Sequence, residues 1–112
     1  MATFLYQDRT FECPVQLSMN VIMGKWKVLV LWHVLRRPRR YGELKRSIQG
    51  ISHKVLAETL KSLEEDGFLL RIDFHENPPH VEYQLTDQGR ELEPILLALQ
   101  QWGMRYKTES LT

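Results

Sequence analysis

The residues of this chain that could do chemistry fall into a dense set of cations and a sparse set of nucleophiles and ligands. Between Lys25 and Lys61 stand ten basic residues against two acidic ones, Glu43 and Glu58, a net of +8. The whole chain carries only +1, so the remainder is net −7. Such segregation suits one face to a polyanion and keeps another free of it. The nucleophile and ligand set is one cysteine, Cys13, and four histidines at 33, 53, 75 and 80. No Ser/His/Asp, Cys/His or metal-ligand spacing joins them, so an enzyme is the least expected class and no cofactor or metal is expected. A lone cysteine leaves no internal disulfide and no cysteine-based zinc site. It fits a reducing, cytoplasmic setting.

The cations need elements to position them. The clearest is a helix within 51–67. Ser52 is a good N-cap, Ile51 and Leu56 have the spacing of a hydrophobic staple, and Gly67 supplies a left-handed stop. At about 100° per residue, Val55, Leu56, Thr59, Leu60 and Leu63 share one face. Lys54, Ala57, Glu58, Lys61 and Glu65 occupy the other, with Ser52 and His53 at its N-terminal end.

Upstream, residues 1–12 lack periodicity and read as an N-terminal arm whose Phe4, Leu5, Tyr6 and Phe11 must pack on something. Cys13-Pro14 opens a first helix, because proline is tolerated at the first helical position. A nearly all-apolar second helix runs from about Lys25 to Arg36 and should be central. Pro38 stops it within a basic bend, with a short strand expected at 39–41. A short helix at about 42–48, a turn at Gln49-Gly50 and the capped helix make a helix-turn-helix pattern. After Gly67 the period becomes 2: Phe68, Leu70, Ile72 and Phe74 alternate with Leu69, Arg71, Asp73 and His75, and Val81, Tyr83 and Leu85 with Glu82 and Gln84. Two antiparallel strands follow, joined by Glu76-Asn77-Pro78-Pro79-His80. A final helix spans about 86–108, capped by Thr86 and bent at Pro94. Its stripe of Leu92, Ile95, Leu96, Leu99, Trp102 and Tyr106 outruns the needs of one small core. No apolar run reaches the roughly 20 residues of a membrane span, and no secretory signal pattern opens the chain.

The fold class is therefore mainly α with a small β-hairpin (α+β), a winged helix-turn-helix over 13–112 preceded by the arm. In order, Cys13-Pro14, Gly24-Lys25-Trp26, Pro38-Arg39-Arg40-Tyr41-Gly42-Glu43-Leu44, Gly50 to Leu56, Asp66-Gly67, Pro78-Pro79, Val81-Glu82-Tyr83, Leu85-Thr86, Gly89, Pro94 and Trp102-Gly103 resemble the HxlR-type bacterial regulators, relatives of the MarR winged helices. The resemblance covers about residues 13–103. It implies a homodimer, paired through the first and last helices, that binds operator DNA. One position departs: His80 stands where the family usually has Arg or Lys, a titratable imidazole in place of a fixed charge.

The expected function is a homodimeric, sequence-specific regulator on an inverted-repeat operator. Ser52, His53, Lys54, Ala57, Glu58 and Lys61 would face the major groove, Arg39, Arg40, Lys45 and Arg46 would hold phosphates, and His75, Asn77 and His80 would bring in the wing. Leu96, Leu99, Trp102 and Tyr106 would pair the subunits. Cys13, at a helix N-terminus, has the setting of a reactive thiol. It is the candidate sensor of an oxidant or electrophile, with a small-molecule effector left open. The alternative is a winged-helix adapter whose basic face binds an acidic protein partner.

Overall fold

The computed structural model describes residues 2–108; Met1 and residues 109–112, assigned above to the arm and the end of the domain, lie outside the described residues. The chain opens not on an irregular arm but on a small hairpin of β1 (Phe4–Tyr6) and β2 (Arg9–Phe11), paired Phe4↔Phe11 and Tyr6↔Arg9. Its two-residue turn holds Gln7 and Asp8 at φ 49° and 63°. Such a turn usually takes Asn-Gly, which is why it carries no obvious signature here. Of its apolar residues, Phe11 is buried while Phe4 and Leu5 stay exposed.

Three helices follow much as the sequence places them: α1 (Pro14–Ile22), α2 (Lys25–Arg36) and α3 (Tyr41–Ser47). Gly24, at φ +147°, makes the corner between α1 and α2, a conformation that side-chain-bearing residues rarely adopt. Val30, Leu31 and Val34 of α2 are fully buried, and Trp26, Leu29 and Trp32 are half-buried around them. The strand expected at 39–41 reduces to one antiparallel bridge, Arg39 to Tyr83.

Helix α4 (His53–Glu65) starts at Ser52, whose Oγ accepts from the Val55 N–H at 3.1 Å. It buries Leu56, Thr59, Leu60 and Leu63 and ends at Gly67, φ +85°. The wing is β3 (Leu69–Asp73) against β4 (Val81–Leu85), in register Leu69↔Leu85 and Arg71↔Tyr83. The face of β3 that packs inward is the one bearing Leu69, which is buried; Leu70 is 52% exposed. Beyond Leu69 the alternation is not kept: Arg71 and Asp73 on its face are exposed and Ile72 on the other is half-buried, so β3 packs inward chiefly where Leu69 pairs with Leu85.

The last helix is two helices. Thr86 caps α5 (Asp87–Arg90): its hydroxyl accepts from the Gly89 N–H at 3.0 Å and donates to the Gly67 carbonyl at 2.5 Å. The chain then turns through Glu91 and Leu92 and restarts as α6 (Glu93–Met104) with Pro94 in its first turn. Proline without an N–H is better placed at a helix start than inside one, so the helix breaks rather than bends. No described helix is long and apolar enough to cross a membrane.

Gly89 locks α5 under the wing root. A Cβ there would collide with the Phe68 carbonyl oxygen and press on Leu85 Cδ2 at 3.1 Å. That carbonyl accepts from the Thr86 N–H and is not free to move. Gly89→Ala is therefore expected to lower stability by roughly 1–3 kcal/mol in urea unfolding, the usual range for overpacking, whereas Gly103→Ala, inside α6 with nothing within 4 Å, should leave the urea midpoint the same or raise it, alanine being the better helix former.

Candidate nucleic-acid interface

Helices α3 and α4 meet through a turn pinned by Ile48 and Ile51, both buried, with Gly50 at φ +86°. This turn sets the angle at which α4 leaves the body. The outward face of α4 is fully formed: Ser52, His53, Lys54, Ala57, Glu58 and Lys61 are all exposed. Lys61 meets Glu65 only at 4.0 Å, and an exposed pair so loose contributes little. His53 is held. The Tyr41 hydroxyl donates to its carbonyl oxygen at 3.2 Å and sits 3.0 Å from its Nδ1, with the two rings stacked at 5.9 Å. The arrangement is satisfied when Nδ1 carries the proton and donates to the hydroxyl. Tyr41 thus fastens the first residue of α4 to the first of α3, a role its sequence position did not signal.

The basic bend divides its charges. Arg39 Nε donates to the His33 carbonyl at 2.9 Å, and its backbone exchanges two hydrogen bonds with Tyr83. Burial, then Arg37, lowers its pKa, and burial followed by Arg39 and Arg36 lowers that of His33. Arg39 is thus half-buried and turned toward α2 rather than outward. Arg40 reaches across to the wing, Nη2 donating to the Pro79 carbonyl at 3.2 Å. Arg37, not singled out in the sequence, donates to Glu43 at 2.6 Å. Lys45 is half-exposed, and the exposed Arg46 lays its guanidinium over Gly42.

Exposure also divides the wing. His75 and Asn77 are exposed, with His75 at φ +54° and its N–H on Asp73 Oδ1. His80 is three-quarters enclosed. Its Nε2 lies 2.7 Å from Glu82, its Nδ1 3.6 Å from Glu76, and it stacks on Phe74 at 4.4 Å. The imidazole at the departing position therefore faces the wing's own carboxylates. Arg71, exposed on β3, shares a groove of about 330 Å³ with Arg40, Tyr41 and Pro79. The sequence reading passed over Arg71, although its pairing opposite Tyr83 puts it at the junction of wing and bend.

The expected subunit-pairing residues are split. Leu96 is 3% exposed and belongs to the protomer's own core, whereas Leu99, Trp102 and Tyr106 are exposed, the last two packed together at 5.0 Å. Among the described residues, eleven of the thirteen exposed large apolar side chains lie in residues 4–23 and 95–106. Cys13 is the N-cap of α1 and is exposed, without a side-chain capping bond. Among the described residues no three His, Cys, Asp or Glu are grouped to hold a metal ion.

Residues 21–111 match the HxlR-like helix-turn-helix family. The chain belongs to that family. The uncharacterized HTH-type transcriptional regulator YkvN of Bacillus subtilis (strain 168) is 44% identical over 98 residues, 88% of this chain and 83% of its own. The redox regulator HypR in its oxidized form superposes with a TM-score of 0.81 at 39% identity, over 87% of this chain and all of that one. The reduced form of the transcriptional regulator YodB from B. subtilis gives 0.71 at 30% identity, over 86% and 95%. The winged helix-turn-helix read from the sequence is the HxlR-like fold, and these relatives are named as regulators: two as transcriptional regulators and one as a redox regulator.

The Arg37–Glu43 pair braces α3 of this HxlR-like chain. The hydrogen bond from Arg37, then that from the Arg40 N–H, pulls the Glu43 carboxyl from an ordinary 4.5 down to about 2. A depressed carboxylate stabilises the fold above its unfolded value and loses that contribution as pH falls through the folded one. The small gap in urea midpoint between the parent and Glu43→Gln should accordingly be full at neutral pH, narrow below about 4.5 and close near 2. A gap independent of pH counts against the ion pair as its source.

Proposed function

We propose that this chain is a homodimeric, sequence-specific DNA-binding regulator that reads an inverted-repeat operator with α4. The observation that carries the reading is the outward face of α4: small or polar side chains with Lys54 and Lys61 unencumbered, projecting from a body that pins only the other side. A major groove admits such a helix. Lys54 and Lys61 donate to guanine, Glu58 accepts from a cytosine amine, and Ala57 touches a thymine methyl. Lys45, Arg46 and Arg40 supply phosphate contacts, which bring affinity and salt dependence rather than sequence preference. Arg39 lends its charge from a half-buried position, and His53 contributes from the place where Tyr41 holds it. His75 and Asn77 bring the wing to the backbone, while His80 acts inside the wing.

The exposed apolar surfaces of α1 and α6 support pairing of two subunits through Leu99, Trp102 and Tyr106, with Leu96 as the packed base beneath them. A two-fold dimer places its reading helices about one helical turn apart on the DNA. Cys13 supports an oxidant response: it is exposed, it begins one of the two helices in that surface, and the structural neighbours HypR and YodB include a named redox regulator. With no second cysteine in the chain, oxidation joins Cys13 to the partner subunit's Cys13 or to a small thiol, two thiols yielding one disulfide with two protons and two electrons passing to the oxidant.

An operator isolated by genomic DNA capture tests the reading. Lys54→Ala and Lys61→Ala should each weaken operator binding in gel-shift titrations by about 1–3 kcal/mol and relax base preference. Arg46→Ala should weaken specific and random DNA alike and lower the salt slope by roughly one. No retention on DNA at low salt, with binding to an acidic protein under the same conditions, would establish the adapter instead. Release of the operator by diamide should be lost in Cys13→Ser; release that persists there removes Cys13 from the response.

A further inference from the structure

A partly enclosed cavity of about 230 Å³ lies between the N-terminal hairpin and the body, away from the outward face of α4. Its wall brings together Arg9 of β2, Asn20 of α1, Lys27 of α2 and Asp66 at the end of α4, with Phe11 among the apolar residues. Three of these are charged, yet none of the described ion pairs includes Arg9, Lys27 or Asp66. Opposite charges share one cavity wall without closing on each other.

The hydrogen bonds around the hairpin have the same character. Gln7 reaches Asp66, Arg9 reaches Asn20 and Gln88 reaches the Tyr6 hydroxyl, each at 3.4 Å. These are the longest side-chain hydrogen bonds among the described residues, and they lie beyond the usual 2.7–3.2 Å range. Polar groups from four elements therefore converge on a gap that they do not fill. The gap is several times the roughly 30 Å³ share of one water molecule. Its net charge is positive, with one carboxylate opposite two cations, and buried Phe11 supplies an apolar surface.

We propose that this cavity binds a small amphoteric carboxylate of amino-acid size. Its carboxylate is taken by Arg9 and Lys27, its ammonium by Asp66, and its apolar part rests on Phe11. A cationic pair alone would suit any anion; the carboxylate across the cavity selects a ligand that also carries a donor. Such a ligand replaces the long contacts at Asp66 and Arg9 with shorter ones. It also ties the hairpin to α1, to α2 and to the C-terminal end of α4 at once.

The test uses the full chain and no DNA, so its failure leaves the regulator reading standing. Thermal unfolding is followed with each standard L-amino acid in turn at millimolar concentration. A ligand that binds only the folded chain raises the Tm in proportion to the logarithm of its excess, so a subset should give a concentration-dependent rise of several degrees. Asp66→Asn removes only a long contact, and Arg9→Gln a long contact and the guanidinium 5.3 Å over the Phe11 ring, so each should melt within a few degrees of the parent without ligand and lose at least about tenfold in affinity. Lys27→Gln provides a third variant with the same expectation. No rise with any amino acid, or a rise that survives all three substitutions, overturns the assignment.

Discussion

The wing is joined to the helix-turn-helix by a single bridge on which the geometry of the outward face depends. The Arg39 N–H donates to the Tyr83 carbonyl at 3.0 Å, and the Tyr83 N–H donates back to Arg39 at 2.7 Å. Around it, Arg39 Nε closes on the end of α2 and Arg40 reaches the wing tip at Pro79. Tyr41 then catches His53, the first residue of α4. Four consecutive residues, 38 to 41, thus connect the central helix, the wing and α4. Proline at 38 ends α2 so that the next residue can extend and pair. A two-stranded wing alone would be marginal; the bridge gives it a third partner on the side facing α3.

This bridge also explains why the directions taken by the cations of the bend were not legible in the sequence. Sequence shows charge but not which way a guanidinium turns. Arg39 and Arg37 turn to a carbonyl and a carboxylate of their own chain, and Arg40 turns to the wing. The cations on α3 and α4, at Arg46, Lys54 and Lys61, are held by nothing closer than the loose 4.0 Å approach of Lys61 to Glu65. A helix fixes side-chain direction through its own periodicity, so there the outward assignment follows from spacing alone. In a bend the direction is set by tertiary partners, which the spacing does not reveal.

The same distinction runs through the fold. Ser52 and Gly67 mark the ends of α4 because a cap and a left-handed stop are local devices, and both were readable. Thr86 was readable for the same reason, but the length of what it caps was not. The break at Glu91-Leu92 depends on Gly89 fitting against the Phe68 carbonyl, a contact twenty-one residues apart in sequence. The hairpin at 4–11 turns through Gln7 and Asp8, whose left-handed backbone lacks the Asn-Gly signature. The inward face of β3 follows from its register to β4, because two adjacent leucines make the alternation ambiguous where it begins.

His80 sharpens the picture of the wing. A fixed cation at this position would have two carboxylates, Glu76 and Glu82, within reach and would be drawn to them. The chain instead places there a planar ring that fits between Phe74 and Glu82. Stacking and a short hydrogen bond make the base of the tip compact, and the two prolines stiffen what lies beyond. Glu76, Glu82 and Asp73 leave this part of the wing acidic, so a long-range attraction to phosphate cannot originate in it. The positive potential of the junction comes from Arg71 and Arg40, which share the groove between wing and α3. In the proposed docking the wing is thus a rigid wall beside that groove, and the cations that meet the backbone stand at its root rather than its tip.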